Sequence, residues 1–315
     1  KIDFRVSTLP TRHGEKVVMR ILDPLAGLVD LPQLGLSGRN LDLVLKAIDK
    51  PFGSILITGP TGSGKTTTLY GILRRISTEG VNVMTLEDPI EFVIEGVSQS
   101  QVQEEINYTF ATGLRHFLRQ DPDIIMGGEI RDSETAALAT HAALTGHLVL
   151  STLHTNDAVG VIPRLIDMGV EKYLIAPTLN LAMAQRLLRR LCQDCMLKSE
   201  ANAGEAKIIQ EALNGLPADL KKKYSSAKYQ IFKPNEKPCK ECGGKAYKGR
   251  IAIIETLEMT DQLEQILLTD MSEASIRKEG QRQGMLTMFQ DGIIKVLEGM
   301  VSLEELLTVA EAGNA

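Results

Sequence analysis

Short apolar runs alternate with amphipathic stretches through the first half of the chain. Ser54–Thr58 is a β-prone run, and Thr66–Ile76 after it has helical spacing. Val81–Leu86, Asp123–Met126 and His147–Leu153 read as further strands. Helices over Thr109–Arg119 and Ser133–Leu144 separate them, the second capped by Ser133 or Asp132. Arg39–Ile48 is an amphipathic helix leading into the first of these strands. The alternation predicts an α/β fold, a parallel sheet with helices on both faces.

The flanks read differently. Upstream, Ile2–Thr8 and Lys16–Leu22 surround a Pro10–Gly14 turn, a hairpin pattern that marks 1–24 as the end of an N-terminal α+β domain. Residues 25–38, with Pro32, Gly27, Gly35 and Gly38, read as a linker. Residues 39–190 form the core, 191–250 a cysteine-bearing module and 251–315 a C-terminal helical region. Within the module, Glu200–Tyr229 is polar, lysine-rich and helical in places, like an insertion. Ile251–Leu257 is a short strand, and Ser302–Glu305 matches a capping box. Met271, Met285, Met288 and Met300 fill core. The chain opens without methionine and inside a strand, so it reads as a fragment of a longer protein.

Composition narrows the classes. Hydrophobic residues at 43% and charged residues at 24% describe an ordinary globular protein of about two domains. A net charge of −5 argues against a nucleic-acid partner. No apolar run reaches about 18 residues, so no transmembrane segment is expected. Four cysteines in two CxxC pairs suit a reducing, cytoplasmic setting.

The chemistry centres on Gly59-Pro60-Thr61-Gly62-Ser63-Gly64-Lys65-Thr66-Thr67, which satisfies the phosphate-loop pattern GxxxxGK[ST] between a strand and a helix. The glycines let backbone N–H groups turn inward, Lys65 reaches the β/γ-phosphates of ATP, and Thr66 offers a hydroxyl to Mg2+. Gly59, Glu87, Glu129 and His154 each follow the carboxyl end of an apolar strand, where open parallel sheets bind ligands. Glu129 is placed to support Mg2+. Glu87, Asp88 and Glu91 crowd three carboxylates into five residues, and one of them would orient the attacking water or meet a cation. His147 and His154 are seven apart, an odd spacing that puts them on opposite strand faces. Spacing alone leaves Arg5 and Arg20 as surface arginines or as fingers acting in trans, and leaves Arg115, Arg119 and Arg131 as salt-bridge partners. Cys192-x-x-Cys195 and Cys239-x-x-Cys242 supply the four thiolates of a structural zinc site, with a redox role as the alternative.

In order along the chain, RVSTLPTRHGEKVVMR (5–20), GPTGSGKTTTLY (59–70), TLEDPIEF (85–92), RQDPDIIMGGEIRD (119–132), TGHLVLSTLHTNDA (145–158), the paired CxxC and YKGRIAIIE (247–255) resemble the secretion ATPases of type II secretion and type IV pilus assembly. The resemblance implies a homohexamer with a recombinase-like P-loop ATPase core at subunit boundaries, cytoplasmic and peripheral to the inner membrane. It also implies an inner-membrane platform protein as partner and motion between domains driven by ATP hydrolysis. It raises His147 and His154 to site residues, favours Glu91 as the base with Glu87 close behind, and makes Arg5 and Arg20 fingers reaching a neighbour's nucleotide. Retraction ATPases of similar core generally lack the tetracysteine, which turns the reading toward an assembly or secretion motor; the two use the same parts, and the reading taken is pilus assembly, with type II secretion as the alternative. A nucleotide-gated scaffold with little hydrolysis is the alternative of another class. Gly128 departs from the family pattern, an apolar residue being usual there, and is expected to loosen the strand end.

Overall fold

The computed structural model describes residues 3–22 and 29–311. Strands β1 (Asp3–Thr11) and β2 (Gly14–Leu22) pair antiparallel, with Arg5 opposite Arg20 in the register. The Arg5 and Arg20 side chains lie outside the described residues, as do 25–28 of the predicted linker. Helix α1 (Gly38–Ile48) then leads to β3 (Gly53–Thr58) and α2 (Lys65–Ile76). The alternation continues through β4 (Val83–Glu87), β5 (Ser98–Gln101), α3 (Phe110–Phe117), β6 (Ile124–Gly127), α4 (Ser133–Leu144) and β7 (Leu148–Leu153). Asp132 caps α4, its carboxylate accepting the Thr135 N–H at 2.8 Å.

Two short helices, α5 (Val161–Asp167) and α6 (Lys172–Thr178), precede the 13-residue strand β8 (Leu179–Leu191). The cysteine-bearing region holds β9 (Leu197–Glu200), α7 (Ala203–Asn214), α8 (Ala218–Tyr224) and β10 (Gln230–Lys233). Strand β11 (Tyr247–Glu258) returns alongside β8, followed by α9 (Asp261–Thr269), α10 (Glu273–Arg282), α11 (Met288–Leu297) and α12 (Leu303–Glu311).

The main sheet has seven strands in the order β11-β8-β3-β7-β6-β4-β5. Every neighbouring pair is parallel except β11 on β8. Period-two alternation divides its side chains between two layers. Ile55, Ile57, Leu148, Leu150 and Met126 pack under α1 and α2, while Leu56, Val149, Leu153, Ile125 and Leu86 pack under α3–α6 and α9. A third cluster joins Leu188 of β8 and Ile251 and Ile253 of β11 to α7, α11 and α12. The polar stretch after Glu200 is therefore anchored, with Ile209 and Leu213 buried.

The outer edge of β11 is closed by groups that are not strands. Ala252 N–H donates to Leu34 O at 3.0 Å, Asn40 Nδ2 to Ile254 O at 3.0 Å, and Ile254 N–H to the buried Asp291 carboxylate at 2.7 Å. Burial pushes the Asp291 pKa up while its ion pair with buried Lys295 opposes the shift. Ser302 accepts the Glu305 N–H, as a capping box requires, but the Glu305 carboxylate turns to the Arg189 backbone and guanidinium instead of the cap. No helix among the described residues is long and apolar enough to cross a membrane.

Leu31 and Leu36 are buried against this core, so the second half of the predicted linker is docked. Leu36→Ala should therefore cost about 2–5 kcal/mol of unfolding free energy in a denaturant melt, whereas a free tether would show almost no change.

Candidate functional site

The loop Gly59–Gly64 fills the gap between the end of β3 and the first turn of α2. Gly59 (φ +144°) and Gly64 (φ +89°) are required on two counts, backbone conformation and space. A Cβ on Gly59 would lie 2.4 Å from Gln185 O, and one on Gly64 would lie 2.8 Å from Gln185 Nε2. Among the described residues, the N–H groups of Gly62, Gly64, Lys65 and Thr66 have no backbone acceptor. Together with the amino end of α2 they make a concave donor set suited to an anion. Lys65 Nζ curls over that loop, donating to Gly59 O at 2.7 Å and Pro60 O at 3.2 Å. Burial lowers the pKa of its ammonium, and the Glu129 charge opposes the shift. Thr61 and Thr66 are exposed, Thr67 half-buried and Ser63 buried.

Glu129 stands just beyond β6, beside the tip of β7. The two strand ends are stitched by Ile130 N–H to Thr152 O at 2.9 Å and Thr152 Oγ1 to Gly128 O at 2.7 Å. This brings His154 Nε2 to 2.7 Å from Glu129 Oε1, while Arg131 donates to Oε2 at 2.8 Å. The Glu129 hydrogen bond and charge raise the Arg131 pKa. The Phe110 ring packs over Gly128, where an added Cβ would lie 2.8 Å from it. The absence of a side chain there gives the ring room to close over the strand end.

The acidic turn separates by environment. Glu87 is buried, its carboxylate bonded by Tyr70 OH, by Thr85 Oγ1 at 2.6 Å and by Gln99 Nε2 at 3.0 Å. Burial, and then the bond to Glu87, push the Tyr70 pKa up. The Tyr70 hydroxyl also accepts the Glu91 N–H at 3.2 Å. The Glu91 carboxylate is half-buried and has no hydrogen-bond partner among the described residues.

The two histidines part company. His154 lies at the loop end of β7, whereas His147 precedes Leu148 at the amino end, roughly 20 Å away along the strand. There its Nδ1 meets Ala142 O at 2.9 Å and holds the α4–β7 turn.

Three residues around the loop escape sequence reasoning. Gln185 of β8 donates to Ser63 O at 2.7 Å and accepts from Thr68 Oγ1 at 2.9 Å. Tyr70 ties α2 to the tip of β4. Thr58, at the base of the loop, bonds Thr155 beyond His154, and the next residues are gripped from the C-terminal region. Asp157 pairs with Arg277 of α10 at 2.7 Å, and Ala158 N–H donates to buried Glu255 of β11 at 3.0 Å. Tyr70, Asp157 and Glu255 lie within the quoted motifs, but the partner each side chain takes is invisible in sequence.

The cysteines gather at the exit of β8 and the approach to β11. Four Sγ atoms lie within 4.8 Å of one another, with 3.7 Å for Cys192–Cys239, 3.9 Å for Cys195–Cys242 and 3.8 Å for Cys239–Cys242. All four are free thiols. Sulfurs around a tetrahedral zinc with bonds of about 2.3 Å stand roughly 3.8 Å apart, so the set fits that ion.

Sheet order, glycine-rich loop and neighbouring carboxylate define a phosphate-loop nucleotide-binding core. Its relatives agree with that geometry. The chain belongs to the type II/IV secretion system protein family, whose model matches residues 1–308. It is 46% identical over 308 residues to the type IV pilus assembly ATPase PilB of Myxococcus xanthus, covering 98% of this chain and 52% of that protein. It is also 46% identical over 310 residues to the type II secretion system ATPase E of Vibrio cholerae, covering 98% and 59%. The chain thus spans little more than half the length of these curated relatives. A solved structure of the pilus retraction motor PilT with bound ADP superposes with a TM-score of 0.68 at 28% identity, covering 97% of this chain and 73% of that one.

Glu255 offers a pH test of the packing behind His154. Burial, aided by Asp157, pushes its pKa from 4.5 up to about 7. A raised acid pKa leaves stability intact below about 4.5 and removes it as pH rises through about 7, by on the order of 3 kcal/mol. Glu255→Gln keeps an oxygen for Ala158 without the charge. Its melting temperature should gain on the wild type between those pH values, and parallel curves would show that Glu255 does not titrate there.

Proposed function

We propose that this chain is the core of a Mg2+-dependent ATPase that couples ATP hydrolysis to movement between copies in a homohexameric ring. The observation that carries the reading is the Lys65 loop lying beside the Glu129–His154 pair at adjacent strand tips. Bound ADP in the structurally similar motor supports an adenine nucleotide as ligand.

Residues 59–67 and Lys65 bind the phosphates. Thr66 and Glu129 are the hydroxyl and carboxylate suited to Mg2+, which would supply charge neutralisation there. His154 and Arg131 hold the Glu129 carboxylate in one orientation. Glu91, with its carboxylate unengaged, orients the attacking water. Glu87 is committed to Tyr70, Thr85 and Gln99 and keeps the β4 tip in place. His147 secures the far turn. Arg5 and Arg20, cross-strand neighbours in the hairpin, reach a neighbouring copy's γ-phosphate and neutralise charge in trans. Zn2+ held by Cys192, Cys195, Cys239 and Cys242 closes the β8–β11 module.

In the longer protein this core would work at the cytoplasmic face of the inner membrane, on a platform protein that adds pilin subunits to a type IV pilus. A type II secretion motor is the second reading, favoured by equal identity to a secretion ATPase. Stimulation of turnover by one platform protein and not the other separates them. Steady-state phosphate release separates both from a nucleotide-gated scaffold.

Lys65→Ala should reduce phosphate release by at least about 100-fold while the melting temperature stays within a few degrees. Wild-type-like hydrolysis in that variant would refute the assignment. Metal analysis should find about one zinc per chain, and stripping it should lower the melting temperature. A fully folded, metal-free preparation of unchanged stability would end the zinc reading.

A further inference from the structure

Gln185 is 1% exposed, so its amide is committed to the partners it has. Its Nε2 donates to Ser63 O and its Oε1 accepts from Thr68 Oγ1, spanning the loop and the first turns of α2. The same residue's backbone carbonyl fills the space beside Gly59. Strand β8 therefore abuts the phosphate loop at both of its ends.

The direction of one bond matters. A trans peptide is planar, with C=O and N–H on opposite sides. Drawing the Ser63 carbonyl toward Gln185 turns the Gly64 N–H away from β8. That N–H has no backbone acceptor among the described residues, and it is one of the donors in the cradle under Lys65. A side chain here must donate and accept at one point. Leucine does neither, and a carboxylate at this depth cannot donate and adds a charge repelled by phosphate.

We propose that Gln185 is a positioning residue that aims the Gly64 N–H at the phosphates of a bound nucleotide by holding the Ser63 carbonyl from behind. This rests on the nucleotide reading above. It adds that the pre-formed shape of the loop is set by β8, the strand that runs on into Cys192.

The test is ADP binding to the full chain by calorimetry, with the nucleotide-free melting temperature recorded for each variant. Gln185→Leu should weaken ADP binding about tenfold, and Gln185→Glu should weaken it further. In steady state, Gln185→Leu should raise KM about tenfold and leave kcat within about twofold. Thr68→Val loses only the far anchor, so it should weaken binding about threefold alone and have no added effect in the Gln185→Leu background. Wild-type affinity in Gln185→Leu overturns the proposal, as do losses that add fully across the pair or that follow the melting temperature. Should Gln185→Leu fail to fold, unchanged affinity in Thr68→Val overturns it. Lys65→Ala is the control. If it loses ADP while Gln185→Leu does not, this inference alone fails. If Lys65→Ala binds ADP normally, the nucleotide reading fails and takes this one with it.

Discussion

Hydrogen-bond register between three adjacent parallel strands is the constraint on which the site depends. Thr58 of β3 aligns with Leu153 of β7, and Met126 of β6 with Leu150. The chain leaves each strand near one edge of the sheet, so the glycine loop, Glu129 and His154 emerge side by side. A one-residue slip would reverse which face each side chain meets and pull these groups apart. The two apolar layers prevent it, because Ile55 and Leu56 belong to different cores.

Legibility followed how local the determinants are. The strand before the loop and helix α4 were predicted nearly to the residue, since apolar β-prone runs and an Asp132 cap are written in adjacent positions. Strand β8 was not. Its sequence, LNLAMAQRLLRRL, is rich in leucine, arginine and alanine, all good helix formers, and only burial between β3 and β11 makes it a strand. Missing β8 meant missing Gln185. Strand β5 was equally opaque, because SQSQ is polar and finds its place through Gln99 and Ser100 contacts.

The site shows the same division. That Gly59, Glu87, Glu129 and His154 lie at strand ends was readable from where apolar runs stop. Which of the clustered carboxylates is already engaged was not, because Tyr70 and Gln99 come from other elements. Odd spacing separated His147 from His154, but the distance between the two ends of β7 is a property of the folded strand. Gly128 looked like a weakening, and it makes sense only once the Phe110 ring is seen above it.

The rim of the sheet at β11 carries a further consequence. Leu34, Asn40 and Asp291 already occupy the alternate amides and carbonyls there, and the opposite rim is the short polar β5. Neither border offers a long bare backbone on which another molecule could grow by main-chain pairing. The seven-stranded sheet is therefore self-limiting, closed at both rims to extension strand by strand.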